Sequence, residues 1–383
     1  MELEVEDPTS TQIFIKSCTG DQYVGQCWPG DSVWIDYLND NAQNYWESLY
    51  AYDKFVGTTS IYSFWNDMNE PAVFSGDEGV MDLQMLHMNT DGTYVKHRDV
   101  HNAYGSLMQR TTHRGVLQRN QEKTRAFVLT RSFFVGSQKY GAYWTGDNTS
   151  QFSELQGSID EIMSTSVSGM FFGGADIPGY LGNPDDDLFI TFYQLGTFYP
   201  FFRAHCSIDN TDRDPWDQTP RVQEVIRETV FLRYTMIHYL YTAFNDATKT
   251  GVPIMRPFFV EFPEEESLFG VSSEFMWGSD ILVQPKLKPS VSWSYSRNKF
   301  DGEPEWTITT KLPSSAKWYN LQTCLLETES EVTYTYGDLD IPLWARAGSI
   351  LPLLNHSRQL SLLRAINDPL QLAVFPDQQQ ATG

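Results

Sequence analysis

The chain has 383 residues, enough for two or three domains, and carries 27 basic against 49 acidic side chains for a net charge of −22. That balance argues against nucleic acid or an anionic membrane surface as a partner, since both reward clustered lysine and arginine. With 41% hydrophobic and 20% charged residues the chain is too apolar for disorder, and no apolar run approaches the ~18 residues of a membrane span.

Up to about Gly251, short apolar segments alternate with helical patterns, the sequence mark of βαβ units and a parallel sheet. Strands are predicted at Ile13–Lys16, Ile61–Asp67, Arg125–Thr130, Tyr140–Trp144, Met170–Gly174 and Tyr199–His205. Helices are predicted over 40–53, 101–120, 152–166 and 187–198, with a long loop from residue 67 to about 98. One further long helix carries Ile226, Val230, Tyr234, Ile237, Tyr241 and Phe244 on a single face and stops at Lys249, Gly251 and Pro253. Beyond Pro253 the pattern turns to period two with Gly/Pro turns, at Pro257–Phe262, Trp306–Thr310 and Val332–Tyr336, which predicts an all-β sandwich. The domain limits expected are 1–251, 252–355 and a stub or tail over 356–383. Four cysteines (Cys18, Cys27, Cys206, Cys324) are too few for a disulfide scaffold. The acidic start lacks the basic and apolar regions of a signal peptide, and the last residues carry no retention signal.

The first region repeats one feature: an acid at the C-terminal end of a predicted strand. Strand alternation groups Ser63, Trp65 and Asp67 on one face, Tyr143, Thr145 and Asp147 on a second, and Phe172, Gly174 and Asp176 on a third. Arg131 ends a fourth strand and His205 a fifth. In a parallel β/α barrel the catalytic groups stand at these ends. Three acids, an arginine and a histidine beside Trp65, Trp144 and Tyr180 suit glycosidic bond cleavage, which needs one ionised carboxylate and one protonated carboxyl. Crowding acids into an aromatic pocket raises the pKa of one of them, which would supply the proton donor.

Other motifs carry less. His97-Arg-Asp99 matches a kinase catalytic loop but has no glycine-rich loop or Asp-Phe-Gly beside it. His97 and His101 have zinc-binding spacing, yet the glutamate of His-Glu-x-x-His is absent, so hydrogen bonding or capping is the expected role. His238, among apolar residues, is expected to be a hydrogen-bonded core histidine. The runs Asp185–Asp187 and Glu264–Glu266 read as solvated loop faces, with calcium as the other reading.

Several longer motifs are recognisable together. Trp65-Asn-Asp-Met-Asn-Glu-Pro71, Trp144-Thr-Gly-Asp-Asn148, Gly174-Ala-Asp-Ile-Pro-Gly179 and Gln194-Leu-Gly-Thr-Phe-Tyr-Pro200 resemble family 31 of the glycoside hydrolases, the retaining α-glucosidases. Tyr23-Val-Gly-Gln-Cys-Trp-Pro-Gly30, His97-Arg-Asp-Val-His-Asn-Ala-Tyr-Gly105 and Phe201-Phe-Arg-Ala-His205 are similar to that family too, and look closest to its branch that trims glucose from N-glycans.

The resemblance implies an α/β fold: strands 3–8 of a (β/α)8 TIM barrel followed by a C-terminal β-sandwich. By it, Asp67 would be the nucleophile and Asp147 the acid and then the base. Asp176 and His205 would bind sugar hydroxyls, Arg131 would keep the nucleophile ionised, and Trp28, Trp65, Met68, Trp144 and Tyr180 would wall the glucose pocket. No metal or organic cofactor is implied. The partners implied are a carbohydrate with terminal α-linked glucose and a noncatalytic β subunit in the lumen of the endoplasmic reticulum. The family's first two barrel strands are expected to be missing, and its Cys in Gly-Ala-Asp-Ile-Cys-Gly is Pro178 here. Two alternatives stand beside this reading: a lysosomal or secreted α-1,4-glucosidase of the same family, and a truncated, catalytically inactive fragment.

Overall fold

The computed structural model describes residues 12–291, 293–294, 299–300, 304–355, 361–365 and 367–377. The chain divides into two compact units, Met1–Trp144 and Thr145–Gly383.

In the first unit a hairpin of β1 (Gly25–Cys27) and β2 (Gly30–Ser32) precedes α1 (Asp40–Ser48). Asn39 caps α1, its side-chain oxygen accepting from the Asn41 N–H at 2.8 Å. β3 (Phe64–Asn66), β6 (Val128–Thr130) and β7 (Ala142–Trp144) form a parallel ladder with Trp65 opposite Leu129 and Thr130 opposite Tyr143. The predicted loop between β3 and the next helix contains an antiparallel hairpin, β4 (Leu86–Met88) with β5 (Tyr94–Lys96). Its arms are three residues each, too short for alternation to show. Ile13–Lys16, predicted as a strand, makes isolated bridges instead: Phe14 to Ile35, and Lys16 to Gln22 and Leu86.

The helix expected from residue 101 begins a turn earlier, as α2 (His97–Arg119), and packs on α1, β3 and β6. Gly105 lets α2 approach the chain that leaves β6. A Cβ at this position would lie 2.5 Å from the Ser132 Cβ and 2.7 Å from its carbonyl oxygen. Gly105→Ala should therefore destabilise the fold by about 2 kcal/mol in urea unfolding, the ~1 kcal/mol gain in helix propensity notwithstanding. An unchanged or raised midpoint would contradict this packing.

The second unit opens with α3 (Phe152–Val167), β8 (Gly173–Gly174), β9 (Asp176–Ile177), α4 (Asp186–Gly196) and β10 (Arg203–Ala204). β9 and β10 pair in parallel, Asp176 opposite Arg203. Of the acidic run at the start of α4, Asp185 is exposed as a solvated face would be, while Asp187 is buried. Asp185 caps the helix by accepting from Leu188 N–H at 2.9 Å, Asp186 accepts from the Thr219 hydroxyl at 2.8 Å, and Asp187 is buried against Arg221 at 2.7 Å. The predicted single helix is two, α5 (Pro220–Thr235) and α6 (Ile237–Thr250), parted at Met236 with φ −93° and ψ 9°. Of the face expected to be apolar, Ile226 is buried but Tyr234 and Tyr241 are exposed; beyond the break the buried side is formed by Tyr239, Leu240, Ala243 and Ala247 instead. His238, expected to be satisfied in the core, is half-buried, and its Nε2 has no hydrogen-bond partner among the described residues.

Beyond α6 lies an antiparallel sheet in the order β11 (Met255–Arg256), β12 (Phe275–Trp277), β13 (Ile281–Val283), β19 (Leu343–Arg346) and β17 (Trp318–Asn320). Alternation divides its side chains between two cores. Phe275, Trp277, Ile281, Val283, Leu343 and Ala345 join helices α3 to α6, while Met276, Leu282, Trp318 and Trp344 face the opposite way. The second core also holds Val332 of β18 (Glu331–Tyr336), which pairs with β16 (Trp306–Lys311). The remaining hairpins are β14 (Trp293–Ser294) with β15 (Lys299–Phe300), and β20 (Ile350–Leu354) with β21 (Leu370–Val374) across α8 (Leu362–Ala365). The predicted strand at 257–262 is instead a short helix, α7 (Phe258–Glu261). Phe258 and Phe262, four apart, are both buried in that second core, a helical spacing that the unbroken apolar run Phe258-Phe-Val260 conceals.

Candidate active site

Each unit positions part of the predicted set. In the first, β3 ends at Asn66 and β6 at Thr130, so Asp67 and Arg131 emerge from neighbouring parallel strands, joined by Arg131 N–H donating to Asn66 O at 3.0 Å. Met68, directly after Asp67, takes a left-handed backbone with φ 58°. That turn lets the Met68 N–H donate to Asp67 Oδ1 at 2.8 Å. A non-glycine residue in this region costs about 1 kcal/mol or more and persists only where its surroundings impose it. Asn69 does so here: its Nδ2 donates to Thr130 Oγ1 at 2.8 Å and its Oδ1 accepts from Ser132 N–H at 2.9 Å. The loop after β3 is thereby laced to the loop after β6.

Arg131 sits between two carboxylates, Nη1 at 3.3 Å from Asp67 Oδ1 and Nε at 3.1 Å from Glu70 Oε1, with Nη1 also 3.4 Å from Met68 Sδ. The sequence had singled out Arg131 and Asp67; Glu70 was the member it left aside. The Trp65 and Trp144 rings meet edge to face with centroids 5.3 Å apart, Trp65 partly exposed and Trp144 buried. Trp28 stands on the β1–β2 hairpin, 78% exposed, its ring 5.2 Å from Phe74.

In the second unit Asp147 is solvent-exposed, contrary to the burial expected of the proton donor. Its neighbour Asn148 is the organiser. Asn148 Nδ2 donates to Asp176 O at 3.1 Å, and its backbone carbonyl accepts from Tyr180 N–H at 2.8 Å and Leu181 N–H at 3.0 Å. The turn after Asp176 passes through Gly179 at φ 112°, where a Cβ would lie 2.6 Å from the Ser150 backbone. Tyr180 then lies beside His205 with ring centroids 5.2 Å apart.

Asp176 is wholly buried. Arg203 Nε and Nη2 both donate to its Oδ1, at 3.1 and 2.5 Å. Sequence reasoning passed over Arg203, although it shares strand parity with His205 and lies in the same quoted motif, a signal that was there to be used. The four cysteines are free thiols. No group of three or more His, Cys, Asp or Glu side chains able to hold a metal occurs among the described residues.

Residues 3–243 match the sequence profile of the glycosyl hydrolases family 31 TIM-barrel domain, and residues 251–351 that of the family 31 C-terminal domain. A probable glucan 1,3-alpha-glucosidase of Oryza sativa subsp. japonica is 37% identical over 374 residues, 96% of this chain and 38% of that protein. Neutral alpha-glucosidase C of Homo sapiens is 39% identical, over 89% of this chain and 35% of that protein. Among solved structures, an ER glucosidase II heterodimeric complex of catalytic subunit and regulatory-subunit binding domain superposes with a TM-score of 0.88 at 36% identity, over 98% of this chain and 40% of that one. The chain thus spans roughly two fifths of the length of these relatives.

Proposed function

Because the chain belongs to family 31 of the glycosyl hydrolases, we propose that it carries the catalytic residues of an α-glucosidase that releases terminal α-linked glucose by double displacement with retained configuration. The observation that carries the reading is Asp67 at a parallel strand end. It accepts from the Met68 N–H at 2.8 Å and lies 3.3 Å from the Arg131 guanidinium, and its loop is fastened by Asn69.

In this reading Asp67 attacks the anomeric carbon to form a β-glucosyl-enzyme. Asp147 donates a proton to the departing oxygen and then takes one from the water that releases glucose. Arg131 holds the Asp67 carboxylate in place through its Nη1. Trp65, Met68 and Trp144 supply an apolar wall, and Trp28 a ring at the outer edge. Tyr180 belongs to the same wall, and His205 beside it binds sugar hydroxyls. The buried carboxylate of Asp176 acts through Arg203, which it holds in place.

The names of the relatives support a narrower reading. One is named for α-1,3-glucan linkages and another is half of an endoplasmic-reticulum heterodimer, so we take N-glycan glucose as the substrate, the reticulum lumen as the compartment and a noncatalytic subunit as the partner. The domain limits that go with it are a partial barrel over 1–251, a C-terminal all-β domain over 252–355 and a stub or tail over 356–383.

The test is hydrolysis of 2,4-dinitrophenyl α-glucoside followed by NMR. α-Glucose should appear first, and an α-1,3-linked diglucoside should be cleaved faster than its α-1,4 isomer. With Asp147→Ala, deglucosylation should slow by about 10²-fold or more, and azide should restore turnover with α-glucosyl azide as product. β-Glucose as the first product would overturn the retaining mechanism. Preference for the α-1,4 isomer would favour the lysosomal or secreted alternative.

A further inference from the structure

A chain of four titratable side chains crosses the first unit, outside the residues assigned above. Asp36 Oδ1 lies 2.8 Å from His87 Nδ1, His87 Nε2 lies 2.9 Å from His97 Nδ1, and His97 Nε2 lies 2.8 Å from His101 Nδ1. Asp36, His87 and His97 are buried, and His101 is partly exposed at the open end. Asp36 is held as an acceptor by the Met88 N–H at 2.7 Å and the Leu38 N–H at 3.3 Å. Three sequence segments meet here: the stretch before α1, strand β4, and the first turns of α2.

The geometry dictates the tautomers. Asp36 accepts, so His87 Nδ1 carries hydrogen and, when that ring is neutral, its Nε2 must accept. His97 Nδ1–H therefore donates to His87, and His101 Nδ1–H donates to His97 Nε2. All three neutral rings are forced into the Nδ1–H form.

One extra proton fits without breaking a bond. Binding at His101 Nε2 makes that ring cationic. Its Nδ1 proton can then move to His97 Nε2, and the His97 Nδ1 proton to His87 Nε2. The charge then rests on His87, beside the Asp36 carboxylate, with the two His–His hydrogen bonds reversed and the His87 Nδ1–H bond to Asp36 unchanged. A second proton does not fit: each His–His contact holds a single hydrogen, and a further ring proton would set two N–H groups facing each other.

We infer that Asp36, His87, His97 and His101 form a proton-conducting chain with room for one added proton, and that it sets the acid limit of the first unit by holding the N-terminal turns of α2 in place. His97, His101 and Gly105 recur every fourth residue and so share one face of α2. At Gly105 that face meets Ser132, and the Gly105 carbonyl lies 3.4 Å from Asn69 Nδ2. Loosening the histidine chain thus reaches the loop that carries Asp67. This last step rests on the function proposed above; the proton chain itself does not.

The surrounding charges leave Asp36 as the counter-ion. On the adjoining segments, Lys16 Nζ is turned to the Tyr94 hydroxyl at 3.0 Å and Lys96 Nζ to Gln84 at 2.7 Å. Asp82 accepts from the Gln84 N–H at 2.7 Å, and Arg98 and Asp99 are exposed. Tyr104, whose ring lies 6.2 Å from that of His87, donates to Ile35 O, and Tyr37 packs on Tyr104. Burial and the two neighbouring rings push His97 down to about 3, and burial pushes His101 down as well. A histidine with a depressed folded-state pKa stabilises the fold above its unfolded value near 6.5, and that stability drains away as pH falls towards 3. By pH 5 the loss is about thirty-fold in the folding equilibrium for His97 alone.

The experiment is ¹⁵N-histidine NMR of the full chain with pH-dependent urea unfolding, on the wild type and on His97→Gln, whose amide can still bridge both neighbours. In the wild type, three of the seven histidines should show neutral Nδ1–H signatures at pH 7.5 and respond together to a single proton on acidification. In His97→Gln, His87 and His101 should titrate separately, unfolding at pH 5 should take up about one proton fewer, and stability should fall about thirty-fold less between pH 7 and 5. Nε2–H tautomers, independent titration of the three rings near 6.5, or an unchanged pH slope in the variant would overturn the proposal. If the variant fails to fold, the wild-type tautomers and titration decide it alone. Absence of glucosidase activity would remove only the link to Asp67.

Discussion

Asp67→Asn should leave the chain folded and reduce turnover of an aryl α-glucoside to below about 1%, the scale of loss expected for a catalytic nucleophile. The fold should survive because the asparagine oxygen can still accept from Met68 N–H and Arg131 Nη1. The ion pair it replaces is about a third exposed on both sides, which makes its contribution to stability about 0–1 kcal/mol. Chemistry should not survive, since an amide oxygen is no substitute for a carboxylate attacking the anomeric carbon. Glu70→Gln is the informative comparison. Glu70 contacts the same guanidinium through Nε, so a loss as deep as that of Asp67→Asn would mean that charge around Arg131, rather than the nucleophile, had been measured. Residual activity above about 1% in Asp67→Asn with an unchanged melting curve would overturn the assignment.

Arg203→Met should destabilise the second unit by about 3–5 kcal/mol in urea unfolding. Both guanidinium donors sit on one oxygen of a carboxylate with no solvent exposure, and methionine fills similar volume without replacing either hydrogen bond. Most of the cost is therefore that of removing two charge-assisted hydrogen bonds from a buried carboxylate. Asp176→Asn combined with Arg203→Met should recover a substantial part of the loss, because the charge that suffers has gone. If the double variant is as unstable as the sum of the singles, the two side chains are not coupled and the pair is not what holds β9 to β10.

The pattern of strand ends was legible because it depends on period two and on residue type. Asp67, Arg131, Asp147, Asp176 and His205 all follow or end short apolar segments, and the ladders β3–β6 and β9–β10 have the parallel sense expected of them. Less was legible where contacts join distant residues. Asn69 reaches Thr130 and Ser132, Arg203 reaches Asp176, and Asp187 reaches Arg221 and Ser290, and no local pattern marks any of these pairs. The acidic run at 185–187 illustrates the difference. Its composition reads as a solvated surface, yet each carboxylate has a specific partner supplied by a cap or by a segment far along the chain.

The amino-acid sequence by itself determined the alternation of strands and helices, the change to an all-β pattern after Pro253, and which acids follow strands, because these follow from hydrophobic period and backbone stereochemistry within a few residues. Tertiary structure decided which nitrogen of Arg131 meets which carboxylate, that Asp176 is closed off while Asp147 is exposed, and that three histidines from two segments line up behind one aspartate. It also made 258–261 a short helix, with Phe258 and its C-capping residue Phe262 buried in one core, where the local sequence read as strand. Burial and hydrogen-bond partnership depend on residues brought together from 50 or more positions apart, as with Asp36 and His87 or Asp67 and Arg131, and their energies are set by desolvation and geometry that no short window of sequence contains.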